Sequence, residues 1–399
     1  GIGVAGVATN GGVPEFSPVL VAASQLHSRQ HTLAMVHLLG AHAEAGRPAD
    51  EPVFIQVAST FLRCCDPNQL HFAPALFFCV CHRLAQSSID AGVALHAIAP
   101  LRAAADALAP SSSHLTPVHA DFLHCCIVAR CYSVAARFMD ERPIFQVDPK
   151  RTSLTPPHFL RYFYYGGVVY VGLKRWRDAL DCFLTPITAP ANTVSAIVVE
   201  SYKKLVLVSL LLRGKAPTLP KYTSTTVMRS LTYHAAAYDH LAESFQKGSL
   251  AELQTTLAKE QETVVKDGNL GLAKQVVKAF TRRQMMLLTH TYITLSLQDI
   301  ASQAGLAGPG EAEKHILYLV EKGDICAKMD KEAGTVHFLD DGKDMASSMG
   351  MVERLEKELS TTVDLTERVR KLEAQISVNT HYLTKTLSSD HAGTSGRMA

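Results

Sequence analysis

From about residue 28 to 270 the apolar residues of this chain recur at helical spacing, in pieces of roughly 12 to 18 residues. Loops such as GRPADEP, APSSSHLTP and ERPIFQVDPKRTSLTPP separate them, and strand-like alternation is absent. A run of short helices without a sheet can bury its apolar faces only by packing helix on helix. Within it, Gly167, Tyr170, Ala179 and Phe183 fall at offsets 0, 3, 12 and 16. That order of small, aromatic, small and aromatic knobs matches a tetratricopeptide-type helix pair. The small residues let the two helices approach closely, and the turn VGLKRW supplies the reversal. Leu123, Cys126, Ala135 and Met139 repeat the offsets more loosely. Such pairs need neighbours to cover them, so the expectation is a mainly α chain built on a right-angled helical-repeat solenoid.

At 399 residues the chain exceeds one ordinary core, and more than one unit is expected. With 47% hydrophobic and 19% charged residues it has ample apolar surface to fold. A net charge of +2 gives no global field for phosphate or an anionic membrane. The longest apolar runs, Phe72 to Cys81 and Leu205 to Leu212, are far short of the roughly 18 residues a bilayer requires. The first residues lack the charged-then-apolar pattern of a secretory leader, and nine cysteines, an odd number, suggest reduced thiols. A cytoplasmic and nuclear address follows.

Residues 291–339 can be laid out element by element. TYITL favours a strand. Ser296 and Asp299 form an S-x-x-D box that caps a helix over Leu297 to Ala304, and Gly305 ends it. Pro309 opens a second helix, with Glu311 and Glu313 near its positive end and Ile316, Leu317 and Val320 as its buried stripe; Gly323 closes it. DICAKM, the turn DKEAG and TVHFL make a β-hairpin in which Gly334 supplies positive φ. Strand, helix, turn, helix and hairpin make a winged helix. Between 287 and 341 there are four basic residues (Lys314, Lys322, Lys328, Lys331) against nine acidic ones (Asp299, Glu311, Glu313, Glu321, Asp324, Asp330, Glu332, Asp340, Asp341), a net of −5. Each phosphate contact needs a cation, so this wing is not expected to bind nucleic acid. Arg161 beside Tyr162, Phe163, Tyr164 and Tyr165 could stack bases, but as part of the repeat these rings are expected in packing.

No catalytic motif stands out. Of the eighteen histidines none are spaced two apart, which removes the H-x-H zinc pair of a metal-dependent isopeptidase. G-x-S-x-G, H-E-x-x-H and the phosphate loop G-x-x-x-x-G-K-[ST] are missing. The opening GIGVAG matches G-x-G-x-x-G, yet no strand precedes it and no acid follows at the required distance. Cys79, Cys81 and His82, with Cys64 and Cys65 upstream, lack the paired knuckles of a structural zinc site and lie in the apolar run LFFCVCH; they and Cys125, Cys126 and Cys131 are read as small core residues. No enzyme activity, cofactor or metal is expected.

After the loop DGKDMASSMG, Val352, Leu355 and Leu359, then Leu365, Val369, Leu372 and Ile376, place apolar residues on one stripe of a helix. Glu353, Glu356, Lys357, Glu367, Arg370 and Lys371 cover the rest, and TTVD at 361–364 shifts the stripe, which predicts a kink or two shorter helices. Such a stripe either folds back onto the repeats or docks on a partner. The tail SSDHAGTSGRMA is polar.

A repeat array ending in ITLSLQDIA...EAEKHILYLVEKGDI...DKEAGTVHF resembles the PCI domain shared by the proteasome lid, the signalosome and translation initiation factor three. HADFLHCCIVARCYSVAARFMD, HFLRYFYYGGVVYVGL, VESYKKLVLVSLLLRGK, LPKYTS and the late EAQISVN are similar to the third-subunit family of the constitutive photomorphogenesis nine (COP-nine) signalosome, over roughly residues 27 to 385. The resemblance implies a scaffold, placed between the first and eighth subunits, in a complex that removes the ubiquitin-like modifier from cullins and so regulates cullin-RING ubiquitin ligases. Scaffolds of the proteasome lid or of the initiation factor are the alternative. Wings that join edge to edge point to Ile293, Leu295, Asp324, Lys328, Val336 and Phe338 as interface residues, and a shared C-terminal helical bundle points to Leu355, Leu359, Leu365, Val369, Leu372 and Ile376. The expected organisation is a flexible tail over 1–26, the repeat array over 27–270, the winged-helix part over 271–342, a bundle helix over 348–386 and a disordered tail over 387–399.

Overall fold

A computed structural model describes residues 18–45, 50–109, 111, 113–144, 146–191, 193–306, 308–321, 325–330, 333–339, 349–378, 380 and 383–384. The chain forms two compact units, Gly1–Gln284 and Met285–Ala399. The expected mainly α architecture is observed, with one small sheet.

The first unit opens with α1 (Pro18–Gln25), α2 (Thr32–Ala45), α3 (Glu51–Cys64), the short α4 (Pro67–Leu70), α5 (Pro74–Asp90) and α6 (Ala94–Ala107). It continues with α7 (Pro117–Val128), α8 (Tyr132–Glu141), the one-turn α9 (Pro149–Thr152), α10 (Pro156–Gly172) and α11 (Trp176–Thr188). Next come α12 (Ala196–Arg213), α13 (Thr225–His234), α14 (Ala236–Lys247), α15 (Leu250–Lys259), α16 (Gln261–Lys266) and the long α17 (Leu270–Thr291), which contains the boundary between the units. Helices α2, α5, α7, α10 and α12 pack in succession as one layer, with α3, α6, α8 and α11 behind them.

The knobs read from the offsets do what their sizes predict. Ala179 and Phe183 are fully buried, and a Cβ added at Gly167 would stand 2.5 Å from the Phe183 ring. Helices α10 and α11 touch where glycine leaves room for an aromatic ring. Leu123, Cys126, Ala135 and Met139 are likewise buried between α7 and α8.

Two further regularities belong to the repeats and were not read from the sequence. Thr116-Pro-Val-His119 and Thr155-Pro-Pro-His158 both build a capping box, in which the Nδ1 of the histidine accepts from the backbone N–H of the threonine at 3.2 Å and 3.4 Å. Burial pushes the His119 imidazole down to about 4, so it stays the neutral acceptor its cap requires. The reversals α5–α6, α7–α8, α10–α11 and α16–α17 also share one turn. A left-handed residue (Gly92, Arg130, Lys174, Gly268) precedes an N–H that reaches the carbonyl five residues back, as in Cys131 to Cys126 at 2.8 Å and Arg175 to Tyr170 at 2.9 Å.

The structure moves two expected boundaries. Residues 18–25 are helix α1, whose Leu20 and Ala23 are fully buried against α2 and α3, so the array reaches further toward the start than a tail over 1–26 allows. Residues 1–17 and 387–399 lie outside the described residues. At the other end Ala273, Val276 and Phe280 of α17 sit in a core shared with α12 and α14, so the array does not stop at 270. Helix α12 serves both cores, with Leu205 and Val208 facing one and Val206, Leu207 and Leu210 the other. That double duty explains the apolar run over 205–212 in its second half, broken only by Ser209.

A polar network crosses the second core. Lys203 Nζ lies 2.7 Å from Glu200 Oε1 and 2.8 Å from Asp267 Oδ2; Tyr238 donates to Asp267 at 2.9 Å; and Asn269 Nδ2 donates to Tyr238 at 2.8 Å while accepting from Lys204. Burial alone would lower the Lys203 pKa, but the hydrogen bonds to Asp267 and Glu200 outweigh it and the net shift is upward.

Two outcomes follow from this packing. Gly167→Ala drives a methyl into Phe183 and lowers stability by about 1–3 kcal/mol, with the loss reduced when Phe183→Leu is added; denaturant titration of the two singles and the double shows whether they couple. Asp267→Ala leaves a buried ammonium with one partner fewer and the Tyr238 hydroxyl without its acceptor, at a cost of about 3 kcal/mol; an unchanged thermal midpoint would mean that the network contributes nothing net.

Candidate interaction surfaces

The second unit begins with a three-stranded antiparallel sheet, β1 (Thr294–Ser296), β2 (Ala327–Asp330) and β3 (Thr335–Phe338), in the order β1-β3-β2, with α18 (Leu297–Ala304) and α19 (Pro309–Glu321). Ser296 Oγ accepts from Asp299 N at 3.0 Å and donates to its carboxylate at 2.6 Å, which starts α18 as the S-x-x-D box requires. Gly305 ends it in the left-handed region, and Gly334 turns the hairpin at φ +61°. This is the expected winged helix.

Strand alternation then decides which wing residues are available to a neighbour. Leu295, Val336 and Phe338 face inward and are buried with Met285, Ile300, Ala304, Ala312, Ile316 and Leu319, so these three are core residues and not the interface they were expected to be. The outward row holds Thr294, His337 and Lys328, paired in register across all three strands. Ile293 is 72% exposed, while its carbonyl accepts from Phe338 N at 2.8 Å and from His337 Nδ1 at 3.0 Å. Asp324 and the helix-closing Gly323 lie outside the described residues. The buried stripe of α19 is Ala312, Ile316 and Leu319; the expected Leu317 and Val320 are exposed, because at 100° per residue they lie about 130° and 75° from the centre of that stripe.

Helix α20 (Met349–Ser377) is unbroken, so TTVD does not divide it into two shorter helices. Every residue of it whose side chain is described is exposed. Leu355, Leu359, Leu365, Val369, Leu372 and Ile376 each leave at least 50% of their surface in water. At 100° per residue, Val352, Leu355, Leu359 and Val363 form one stripe and Leu365, Val369, Leu372 and Ile376 a second, turned by about 115° from the first.

On the repeats, the rings that could have stacked bases are engaged. Tyr162 is buried, Phe163 packs edge-on to Phe159 and Tyr162, Tyr164 tilts against Phe183, and Tyr165 lies under His124 at 4.9 Å. Burial pushes the Cys125 and Cys126 thiols up to about 12, and Cys81 well above its usual value, so all three are protonated at neutral pH and make poor metal ligands or nucleophiles. Among the described residues no group of three or more His, Cys, Asp and Glu side chains is placed to hold a metal ion, and no helix is long and apolar enough to cross a membrane.

Comparison with known proteins agrees with this geometry. The family described as COP9 signalosome complex subunit 3, N-terminal helical repeats, matches residues 16–227, and the PCI domain matches residues 250–340. A curated relative from Arabidopsis thaliana, COP9 signalosome complex subunit 3, is 32% identical over 363 residues, covering 90% of this chain and 83% of its own length. The protein of the same name from Dictyostelium discoideum is 30% identical over 370 residues, covering 92% of this chain and 88% of its own. The repeat match is to the signalosome subunit's own helices, which favours that family over the sister PCI assemblies. With more than half its length in the repeat family and a PCI domain after it, the chain belongs to the COP9 signalosome subunit 3 family.

Proposed function

We propose that this chain is a non-catalytic scaffold subunit of the COP9 signalosome. In this reading it supports removal of the ubiquitin-like modifier from cullins and so regulates cullin-RING ligases, acting in cytoplasm and nucleus. The observation that carries the proposal is the bare apolar surface of α20. A helix with this much exposed Leu, Val and Ile at its two stripes is an aggregation liability unless partners cover it. Other signalosome subunits supply that cover in a shared helical bundle. The wing adds a second coupling point, since among the described residues β1 and β2 each have a strand on one side only, and the first and eighth subunits are the neighbours proposed to meet them. Of the wing residues, Ile293 and Lys328 remain in this reading as exposed side chains beside those edges.

A chain ending at residue 348 keeps the folded repeats but is lost from the reconstituted complex, as native mass spectrometry would read directly; full retention of the shortened chain would end the proposal. Leu365→Ala with Leu372→Ala separates folding from assembly. In the free chain the pair changes stability by no more than about 1 kcal/mol, because both side chains are already in water. In the complex each costs about 2–5 kcal/mol if a partner buries it fully. Assembly at wild-type protein concentration by the double variant would show that the second stripe faces no partner.

A further inference from the structure

Helices α5, α7 and α10 bring a compact set of polar side chains to one face of the repeat array. His82 of α5 and Asp121 of α7 meet at 2.9 Å, and Asp121 is itself almost fully buried. One turn on from Asp121, His124 lies flat on Tyr165 of α10, 4.9 Å apart and 5° from parallel. His158, Arg161 and Tyr165 share a face of α10, at spacings of three and four residues. These contacts fix the three helices' polar groups relative to one another, so the cluster is built by the packing and not by loose surface side chains.

Its hydrogen-bonding capacity is largely unspent. The only carboxylate in the cluster, Asp121, is taken by His82. Among the described residues the Arg161 guanidinium has no hydrogen bond or ion pair, and neither the His124 ring nitrogens nor the Tyr165 hydroxyl has a hydrogen-bond partner. His158 accepts from the Thr155 N–H through Nδ1, which leaves its proton on Nε2 as a further donor. On α10 Arg161 lies one helical turn from both His158 and Tyr165, and Tyr165 carries His124 stacked on its ring, so the four groups are neighbours on this face. A guanidinium, imidazole N–H groups and a phenol converging without a free acid are complementary to a carboxylate. A nucleic acid fits less well, because the Tyr165 face that a base would need is covered by His124.

We propose that this face, through Arg161, His124, His158 and Tyr165, binds the carboxylates of an acidic segment of a partner protein. The proposal does not rest on the assignment to the signalosome. The binding carries a proton dependence of known sign. Burial, the largest cause, and the nearby charges of Arg161 and His82 hold His124 below its ordinary value against the opposing pull of Asp121, so the free ring is neutral at pH 7. A bound carboxylate favours its charged form, and affinity rises as pH falls toward 6. His158 is also held down, by burial first, and its engaged Nδ1 keeps it a neutral donor. His82 is raised by its hydrogen bond to Asp121, and that same bond balances its charge.

Fluorescence polarisation of a labelled octa-aspartate peptide on the full chain, at near-physiological salt and at pH 8 and pH 6, tests this. The expected result is saturable binding, at least about threefold tighter at pH 6, weakened about tenfold by Arg161→Gln. His124→Phe, which keeps the ring on Tyr165, retains binding and loses most of the pH dependence. Circular dichroism melts matching wild type confirm that both variants fold. No binding at either pH, or equal binding by Arg161→Gln, overturns the proposal. So does tighter binding of a labelled single-stranded oligonucleotide through the same arginine.

Discussion

A helical hairpin has two faces to cover and only one mate within itself, so the first unit depends on every pair lending a face to the next. The close approach of Gly167 to Phe183 shows the interior half of that requirement, where a missing side chain makes room for a ring. The layer α2, α5, α7, α10, α12 shows the other half, with each helix carried by the one before it. Where this regular stacking gives way, α12 turns apolar on both sides and a polar network closes the second core around Asp267. Buried polar groups of this kind add little stability when complete and cost much when broken, so the network specifies one arrangement of α12, α14 and α17 more than it strengthens it.

The fold class, the knobs of the repeat and the order of wing elements were legible because each rests on a local rule: period, small residue or cap. What the sequence hid has equally physical reasons. Leu295, Val336 and Phe338 are as apolar as an interface requires, and only strand pairing reveals that they point inward. Leu317 and Leu319 are two residues apart on one helix, and a pattern alone does not say which of them meets the sheet. The recurring left-handed turn escaped notice at Arg130 and Lys174 because the usual marker, glycine, is present only at Gly92 and Gly268. A side chain with a Cβ costs about 1–2 kcal/mol in that conformation, which the hydrogen bond to the carbonyl five residues back helps to offset. The cluster around Arg161 escaped for a different reason, since its members come from three helices and only the α10 residues are neighbours in the chain.

The winged helix carries the frame of a groove reader without its charge. Across the sheet its outward row is Thr294, His337 and Lys328, and the exposed side of α19 carries Glu311, Lys314 and Leu317. Two lysines beside an acid cannot replace the array of cations that phosphate contact demands. A sheet of three short strands whose outer edges meet no other strand among the described residues is, by contrast, well suited to pairing with another protein, provided the edges are too short and too polar to pair without selection.

The geometry of α20 constrains its partners further than exposure alone. A heptad seam drifts by only about 20° per two turns relative to a straight helix, so one partner helix can follow one stripe by gentle supercoiling. It cannot follow a jump of about 115° made between Val363 and Leu365, within one continuous helix. A single companion would leave one stripe in water. Cover on both stripes needs neighbours on two sides at different heights, which is the surrounding a helix meets inside a bundle and does not meet in a simple pair.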